Sequence, residues 1–477
     1  MSRSPRVLAA VSAGAAAALV ATAAPAAASP GAQVRFGPGA PGAGDPYFPD
    51  MGNGGFDVAH YDIGLSYDPG TKGLRGVAKI TARATQNLSR FNLDFLGPLT
   101  ISALTVDGRK AAHTRTGAQE LVITPRKGLR KGTRFTVTVA YAGVPRTIDD
   151  PALGRSGWIP TADGGLMLNQ PFGAATVYPV NDHPTDKATY TWTLAAPKAL
   201  TTLANGDLTG TWSRGGWTAT RWQMRRPMAS ELSMIAIGRY DVLKGRTPGG
   251  VPNITATDQA MKITAENARR FHDQTAEVTD FQSTLFGRYP FGSTGGVVVK
   301  AGVGYALETQ GRPVYDLGRR PGAIPSGALL AHELGHQWFG DSVTPKRWAD
   351  IWLNEGFATY AEWLHAERFS GTPVQKSFDD VYATPADDDL WKGEVADPGR
   401  DGIFNGLVYD RGAMAVHVLR TTIGDKAFHR LLREWPAAYR YRNASTADFV
   451  RFAERLSGKD LDGWARSWLH SEGKPAL

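Results

Sequence analysis

Residues 327–360 read GALLAHELGHQWFGDSVTPKRWADIWLNEGFATY, with His332-Glu333-Leu334-Gly335-His336 near their start. Residues four apart on a helix share a face, so both imidazoles point at a common spot. Ala328, Leu329, Leu330 and Ala331 make the approach small or apolar, as a buried helix demands. Nineteen positions after His336, Asn354-Glu355-Gly356-Phe357-Ala358 brings a carboxylate on a second helical stretch. Two histidines and one carboxylate form the ligand set of a zinc ion that keeps a fourth position open. His332, His336 and Glu355 are therefore the expected ligands of one Zn²⁺ per chain. Glu333 is one residue round from His332, which sets its carboxylate beside the ion, where a base that takes a proton from water belongs. Such a three-residue match arises by chance in long chains; its weight comes from coinciding with an apolar helix and a distant carboxylate. Hydrolysis of a peptide bond suits this set better than redox chemistry or phosphoryl transfer.

Outward from this stretch, the chain divides. Tyr61, Ile63, Leu65 and Tyr67 alternate with smaller or polar residues, as do Phe135, Val137, Val139 and Tyr141. A period of two belongs to strands with one buried face. Similar runs recur at 76–84, 121–124, 189–194 and 232–237, so residues 56–243 are expected to form a β-rich domain. Beyond Pro248, Met261, Ala265, Ala268 and Phe271 are spaced by three and four, predicting a helix over 260–286. Gly295 to Lys300 fits a buried strand, and helices are expected around 327–340, 351–369, 411–423 and 446–456. Asp350 is the expected cap of the helix carrying Glu355, and Ser445 or Thr446 that of a late helix.

The chain has 477 residues, enough for two or three domains, with 42 % apolar and 21 % charged residues. That composition excludes a disordered chain. Cysteine is absent, which removes thiol nucleophiles, thiolate zinc ligands and cysteine-held iron–sulfur clusters. A formal charge of +8 is modest for this length and scattered, so nucleic acid is not an expected partner. Arg3 and Arg6, the apolar run Leu8 to Ala24 and an A-x-A site at 26–28 read as a signal peptide over 1–28, cleaved on export. No stable membrane anchor is expected. Residues 29–55, rich in glycine and proline, read as an extended leader with a local tie-down near Tyr47 and Phe48.

The metal stretch resembles the aminopeptidase N family of gluzincin metallopeptidases: His332 to His336, eighteen further residues, then Glu355 in Asn354-Glu355-Gly356-Phe357-Ala358. Trp338-Phe339-Gly340-Asp341 and Trp352-Leu353 strengthen the likeness, which covers most of the chain after the leader. It implies an all-β N-terminal domain followed by a thermolysin-like α+β, mostly helical, zincin catalytic domain over 244–477. It also implies that Tyr409, in Tyr409-Asp410-Arg411-Gly412-Ala413-Met414, donates a hydrogen bond to the tetrahedral intermediate. Taken by itself, a tyrosine before a glycine-containing helix start serves packing equally well.

The family holds the free substrate amine with a glycine-x-methionine-glutamate-asparagine strand. Gly304-Tyr305-Ala306-Leu307-Glu308-Thr309 is similar, with Glu308 retained while Tyr305, Leu307 and Thr309 replace the glycine, methionine and asparagine. A carboxylate facing an ammonium is a sound anchor for an N-terminus. Tyr178-Pro179-Val180-Asn181-Asp182-His183-Pro184 resembles the family's aromatic-proline-cysteine-x-aspartate-glutamate-proline run, and counting back puts Gln170 at the second amine-binding position. Gln170 reads also as an interdomain contact. Glu362 and Asp341 are read as surface charges in preference to groups that orient a ligand. The resemblance implies a secreted, monomeric aminopeptidase of the short bacterial type, acting on peptides with a free N-terminus. A zinc endopeptidase of broad specificity is the alternative, then a catalytically inactive peptide-binding protein. Ending at Leu477, the chain leaves no room for the long helical C-terminal domain of large members, and a more open cleft is expected.

Overall fold

The alternation at Tyr61 to Tyr67 resolves into the strand Phe56–Asp68, with these four side chains buried. This computed structural model describes residues 34–477, so the signal peptide expected over 1–28 and the first residues of the expected leader lie outside the described residues. Phe56–Asp68 is a central strand of an eight-stranded sheet that runs from Asp207–Arg214 at one edge to Arg109–Lys110 at the other. It pairs antiparallel with Gly73–Ala84 and parallel with Ala188–Pro197. A four-stranded sheet and a five-stranded sheet complete the β-rich half. Buried side chains from all three sheets, such as Ile63, Phe91 and Met167, form one core.

A further five-stranded sheet opens the second half, in the order Tyr240–Arg246, Pro252–Asp258, Thr294–Val299, Val314–Asp316 and Ala306–Leu307. Thr294–Val299 is buried along its whole length, as its β-branched composition requires. The short strand Ala306–Leu307 stands at the edge and leads straight into Glu308. Eight helices follow in this half: α1 (Ala265–Phe286), α2 (Gly327–Gly335), α3 (Trp352–Ser370), α4 (Val374–Tyr382), α5 (Gly412–Ile423), α6 (Asp425–Ala438), α7 (Thr446–Ser457) and α8 (Asp462–Leu469). Among the described residues, no helix is long and apolar enough to cross a membrane.

Apolar residues of α1 and α2 meet the sheet directly. Phe271 and Val278 pack with Val298, Tyr315, Leu330, Ala331 and Leu334, so the helix bearing both histidines rests on the sheet through its apolar side. The remaining helices share a second core rich in Trp352, Phe357, Trp435 and Phe449. Phe48 joins this core, stacking edge-on against Phe172 and Trp348 at 5.4 and 6.0 Å. The tie-down expected near Tyr47 and Phe48 is present, and Asp45 reinforces it by accepting from the Trp348 amide at 2.9 Å.

Ser445 caps α7 as expected, in a reciprocal pair with Asp448. Asp350 does not cap α3. Ile351 already has helical dihedrals (φ −61°, ψ −24°), so the chain enters α3 from a preceding helical turn, whereas a side-chain cap needs extended backbone. The Asp350 carboxylate instead accepts from the amide and hydroxyl of Thr446, both at 2.9 Å, and secures the start of α7.

Candidate metal centre and active site

Helix α2 begins where the Ser326 hydroxyl accepts from the Leu329 amide, and His332 and His336 follow on one face of its last turn. Nε2 of each ring lies 3.2 Å from the same oxygen of Glu355, which α3 contributes. One donor atom from each of the three falls within 4.8 Å of the others, and all three residues are buried. The second ring nitrogens are occupied elsewhere. His332 Nδ1 bonds Glu362 Oε1 at 2.7 Å, and His336 Nδ1 lies 3.1 Å from the Phe339 carbonyl. Such partners keep the proton on Nδ1 and turn the Nε2 lone pair inward, as a metal ligand requires. The donor set therefore fits a single Zn²⁺ site.

Local chain geometry explains this convergence. At Gly335, an added Cβ would come within 3.1 Å of the Ala361 side chain, so α2 and α3 approach closely at this point. At Gly356, next to Glu355, it would lie 2.9 Å from the main chain of Gly412, which brings the start of α5 equally near. Just before α5, residues Leu407–Arg411 form a π-helical turn, a feature concentrated at functional sites. This turn carries Tyr409, whose ring stacks on His332 with centroids 5.7 Å apart and planes 13° off parallel.

Glu333 points into the same space. Its carboxylate has no hydrogen-bond or ion-pair partner among the described residues and groups with Glu308 and His336, their donor atoms within 4.8 Å of each other. Glu308, at the end of the edge strand, accepts from Gln170 Nε2 at 2.5 Å. Gln170 comes from the β-rich half, so both halves build the site. Its loop is held by Asp182, which accepts from the Gly173 and Ala175 amides and the Ser230 hydroxyl.

Charge is unevenly distributed here. Burial, opposed by the two imidazoles and reinforced by Glu308 and Glu355, pushes Glu333 up to about 8. Burial acts on Glu355 as well, yet His336 and His332 hold its carboxyl down at about 2. Burial raises Glu308 above the usual carboxylate range. It also raises the Tyr409 phenol well above its ordinary value, with the neighbouring carboxylates adding to the effect. Tyr409 thus keeps its proton and is a hydrogen-bond donor at neutral pH.

All seven sequence-expected residues, His332, Glu333, His336, Glu355, Glu308, Gln170 and Tyr409, meet in this one region. Glu362 departs from its expected surface role, because two turns beyond Glu355 it reaches back to His332. Glu362→Gln is expected to weaken zinc binding about 10–100-fold, read by competition with a chelator; unaltered affinity would return Glu362 to the status of a surface charge. Asp341 departs too: it is fully buried, and neither carboxylate oxygen has a partner. Gln337 went unnoticed in the sequence. Its amide donates to the Glu308 carbonyl at 3.1 Å and accepts from the Gly311 amide at 2.7 Å, fastening the edge strand to the metal helix. Its place beside His336 was the only signal. Lys187 likewise reaches from the β-rich half to the Asp341 and Ser342 carbonyls and the Thr344 hydroxyl, at 2.8, 3.2 and 2.6 Å, and steadies the turn after His336.

Residues 326–468 match the Peptidase family M1 domain, and residues 58–232 match the Peptidase M1 N-terminal domain. The crystal structure of an M1 zinc metallopeptidase from Deinococcus radiodurans superposes with a TM-score of 0.82 at 30 % identity, over 91 % of this chain and 98 % of that one. A mutant of the Deinococcus enzyme, bound to a Tyr-Ser-Ala substrate, aligns at 31 % identity with a TM-score of 0.81, over 91 % and 99 % of the two chains. The chain belongs to peptidase family M1. Glutamyl aminopeptidase of Sus scrofa is 30 % identical over 329 residues, 65 % of this M1 chain and 35 % of the relative. Aminopeptidase M1-D of Oryza sativa subsp. japonica is 26 % identical over 327 residues, 64 % of this chain and 36 % of the relative. The M1 chain thus spans about a third of the length of these curated relatives. Its β-rich half followed by a largely helical, thermolysin-like half is the M1 fold.

Proposed function

We propose that this chain is a zinc-dependent aminopeptidase that releases N-terminal residues from peptides. The observation that carries the reading is Glu308, buried at the end of an edge strand, paired with Gln170 and within 4.8 Å of Glu333 and His336. A free N-terminal ammonium held there by a charge-assisted contact leaves only the first peptide bond of the substrate over the metal ligands. A free N-terminus is not needed by an endopeptidase, which would gain nothing from a buried carboxylate at this point. Known ligands of the relatives favour the same reading. The Deinococcus mutant holds Tyr-Ser-Ala, and two-domain M1 metallopeptidase mutants hold L-tryptophan or L-arginine.

Bound at His332, His336 and Glu355, zinc supplies Lewis acidity, acidifying water and polarising the scissile carbonyl. Glu333 removes the proton of the attacking water and delivers it to the departing amine. Tyr409 donates its phenolic hydrogen to the oxyanion of the tetrahedral intermediate. Glu308 and Gln170 anchor the amine, and the edge strand Ala306–Leu307 offers backbone groups to the peptide. Glu362 and the Phe339 carbonyl hold the two imidazoles in orientation.

A matched pair of peptides, one with a free and one with an acetylated N-terminus, tests the reading. The free peptide is expected to be cleaved and the blocked one left intact. Glu308→Ala is expected to lower kcat/KM for the free peptide about 10–100-fold, the loss of one buried charge-assisted contact. Equal cleavage of the two peptides by the unaltered protein would transfer the chain to the endopeptidases. Export is part of the proposal, supported by the basic start, apolar run and A-x-A site of residues 1–28.

A further inference from the structure

We propose that two adjoining grooves on this protein form a binding surface for a linear polymer of phosphate groups. Arginines scattered in the sequence are gathered here by the fold. Arg225 and Arg226, near the end of strand Trp217–Met228, and Arg288, just beyond α1, line one groove of about 700 Å³. Arg288 also lines the second groove, together with Arg433 of α6 and Arg440 just after it. All five are exposed, and none pairs with a carboxylate among the described residues. Elsewhere on the helical half, Arg400, Arg420, Arg430 and Arg451 each have an aspartate or glutamate partner.

These guanidiniums are fixed as well as clustered. Arg433 donates to the Thr284 carbonyl in the last turn of α1 at 2.8 Å, and Arg440 to the Pro290 carbonyl at 3.3 Å. Arg226 and Arg440 both stand against the Tyr441 ring, 5.5 and 4.9 Å from its centre. Each keeps donors free for a ligand, since a guanidinium carries five N–H groups. Two carboxylates, Asp207 and Asp280, enter the first groove, and Asp280 accepts from the Gly249 amide at 2.6 Å. Five cations against two anions leave a surplus of positive charge, which repels itself in the free protein and which a chain of anions cancels. Every cation is an arginine, whose planar fork matches phosphate oxygens in pairs. Continuity across two grooves favours a polymer over a single small anion. A lipid surface fits poorly, because the large apolar side chains that stand exposed, such as Val77, Trp212 and Phe369, lie outside both grooves. None of the five arginines contributes to the hydrolytic site, so the surface is independent of the peptidase reading.

Binding of the full, zinc-loaded chain to fluorescein-labelled long-chain inorganic polyphosphate, followed by anisotropy across a salt series, tests the proposal. The logarithm of affinity is expected to fall with that of salt concentration at a slope of about −3.5, as for five contacts to a single-stranded polyanion. Arg288→Gln combined with Arg440→Gln is expected to weaken binding at least about 10-fold and to flatten that slope, with peptide cleavage and thermal midpoint unchanged. Arg109→Gln combined with Lys110→Gln removes as much charge from the far edge of the eight-stranded sheet and is expected to bind as the unaltered protein does. Equal weakening by the two pairs would reduce the effect to net charge and overturn the proposal. So would absence of binding, orthophosphate competing as well per phosphate as the polymer, or tighter binding of double-stranded DNA, dextran sulfate or phosphatidylglycerol vesicles.

Discussion

Glu333→Gln is expected to lower kcat by about 10²–10⁴-fold, the range for a positioned general base, while the protein still binds one tight zinc ion. The amide is nearly isosteric with the carboxylate, so the packing of α2 is preserved. It cannot accept a proton from water or return one to the leaving amine. His332, His336 and Glu355 make their contacts with one another and with Glu362 and the Phe339 carbonyl, none of which involves the Glu333 side chain. KM is expected to change far less than kcat, because Glu333 acts mainly on the way to the transition state. Single-turnover cleavage measured beside metal content checks this. Full activity would remove Glu333 from the chemistry, and loss of zinc would show that its role is structural.

Tyr409→Phe is expected to cost about 10²–10³-fold in kcat, the usual loss when one oxyanion donor is removed. The ring that stacks on His332 remains, so the position of the histidine is not the variable under test. Only the phenolic hydrogen is deleted, and its donor character at neutral pH follows from the strongly raised phenol. The signature that separates this role from packing is a fall in kcat at nearly constant KM and thermal midpoint. A lowered thermal midpoint with kcat preserved would instead assign Tyr409 to the core.

The metal ligands were legible because their geometry is local or nearly so. Spacing by four sets two imidazoles on one face whatever the tertiary context, and Glu355 announces itself by lying in its own apolar helix. The strands were legible for a similar reason, as alternation at Tyr61 to Tyr67 expresses one buried face. What the sequence concealed depends on contacts between distant segments. Glu362 shares a side of α3 with Glu355, but periodicity does not tell which neighbouring helix that side meets. Asp350 looked like a local cap, and its partner Thr446 stands 96 residues away. Lys187, Gln337 and Asp182 act by holding main chain of another segment, a role with no periodic signature. Helix α6 does carry a helical period in Phe428, Leu431, Leu432 and Trp435, but Pro436 in its last turn removes a backbone hydrogen bond and so argues against a helix there. The π-helical turn under Tyr409 follows from no residue pattern in the chain.

The contact between Gly356 and Gly412 leaves no side chain between the ligand-bearing helix and the segment that presents the phenol. The gap from metal to oxyanion donor is consequently a property of polypeptide thickness, beyond the reach of rotamer changes elsewhere. An engineer seeking a roomier catalytic chamber could vary the loops freely, whereas one methyl at this crossing would prise the two halves of the reaction machinery apart.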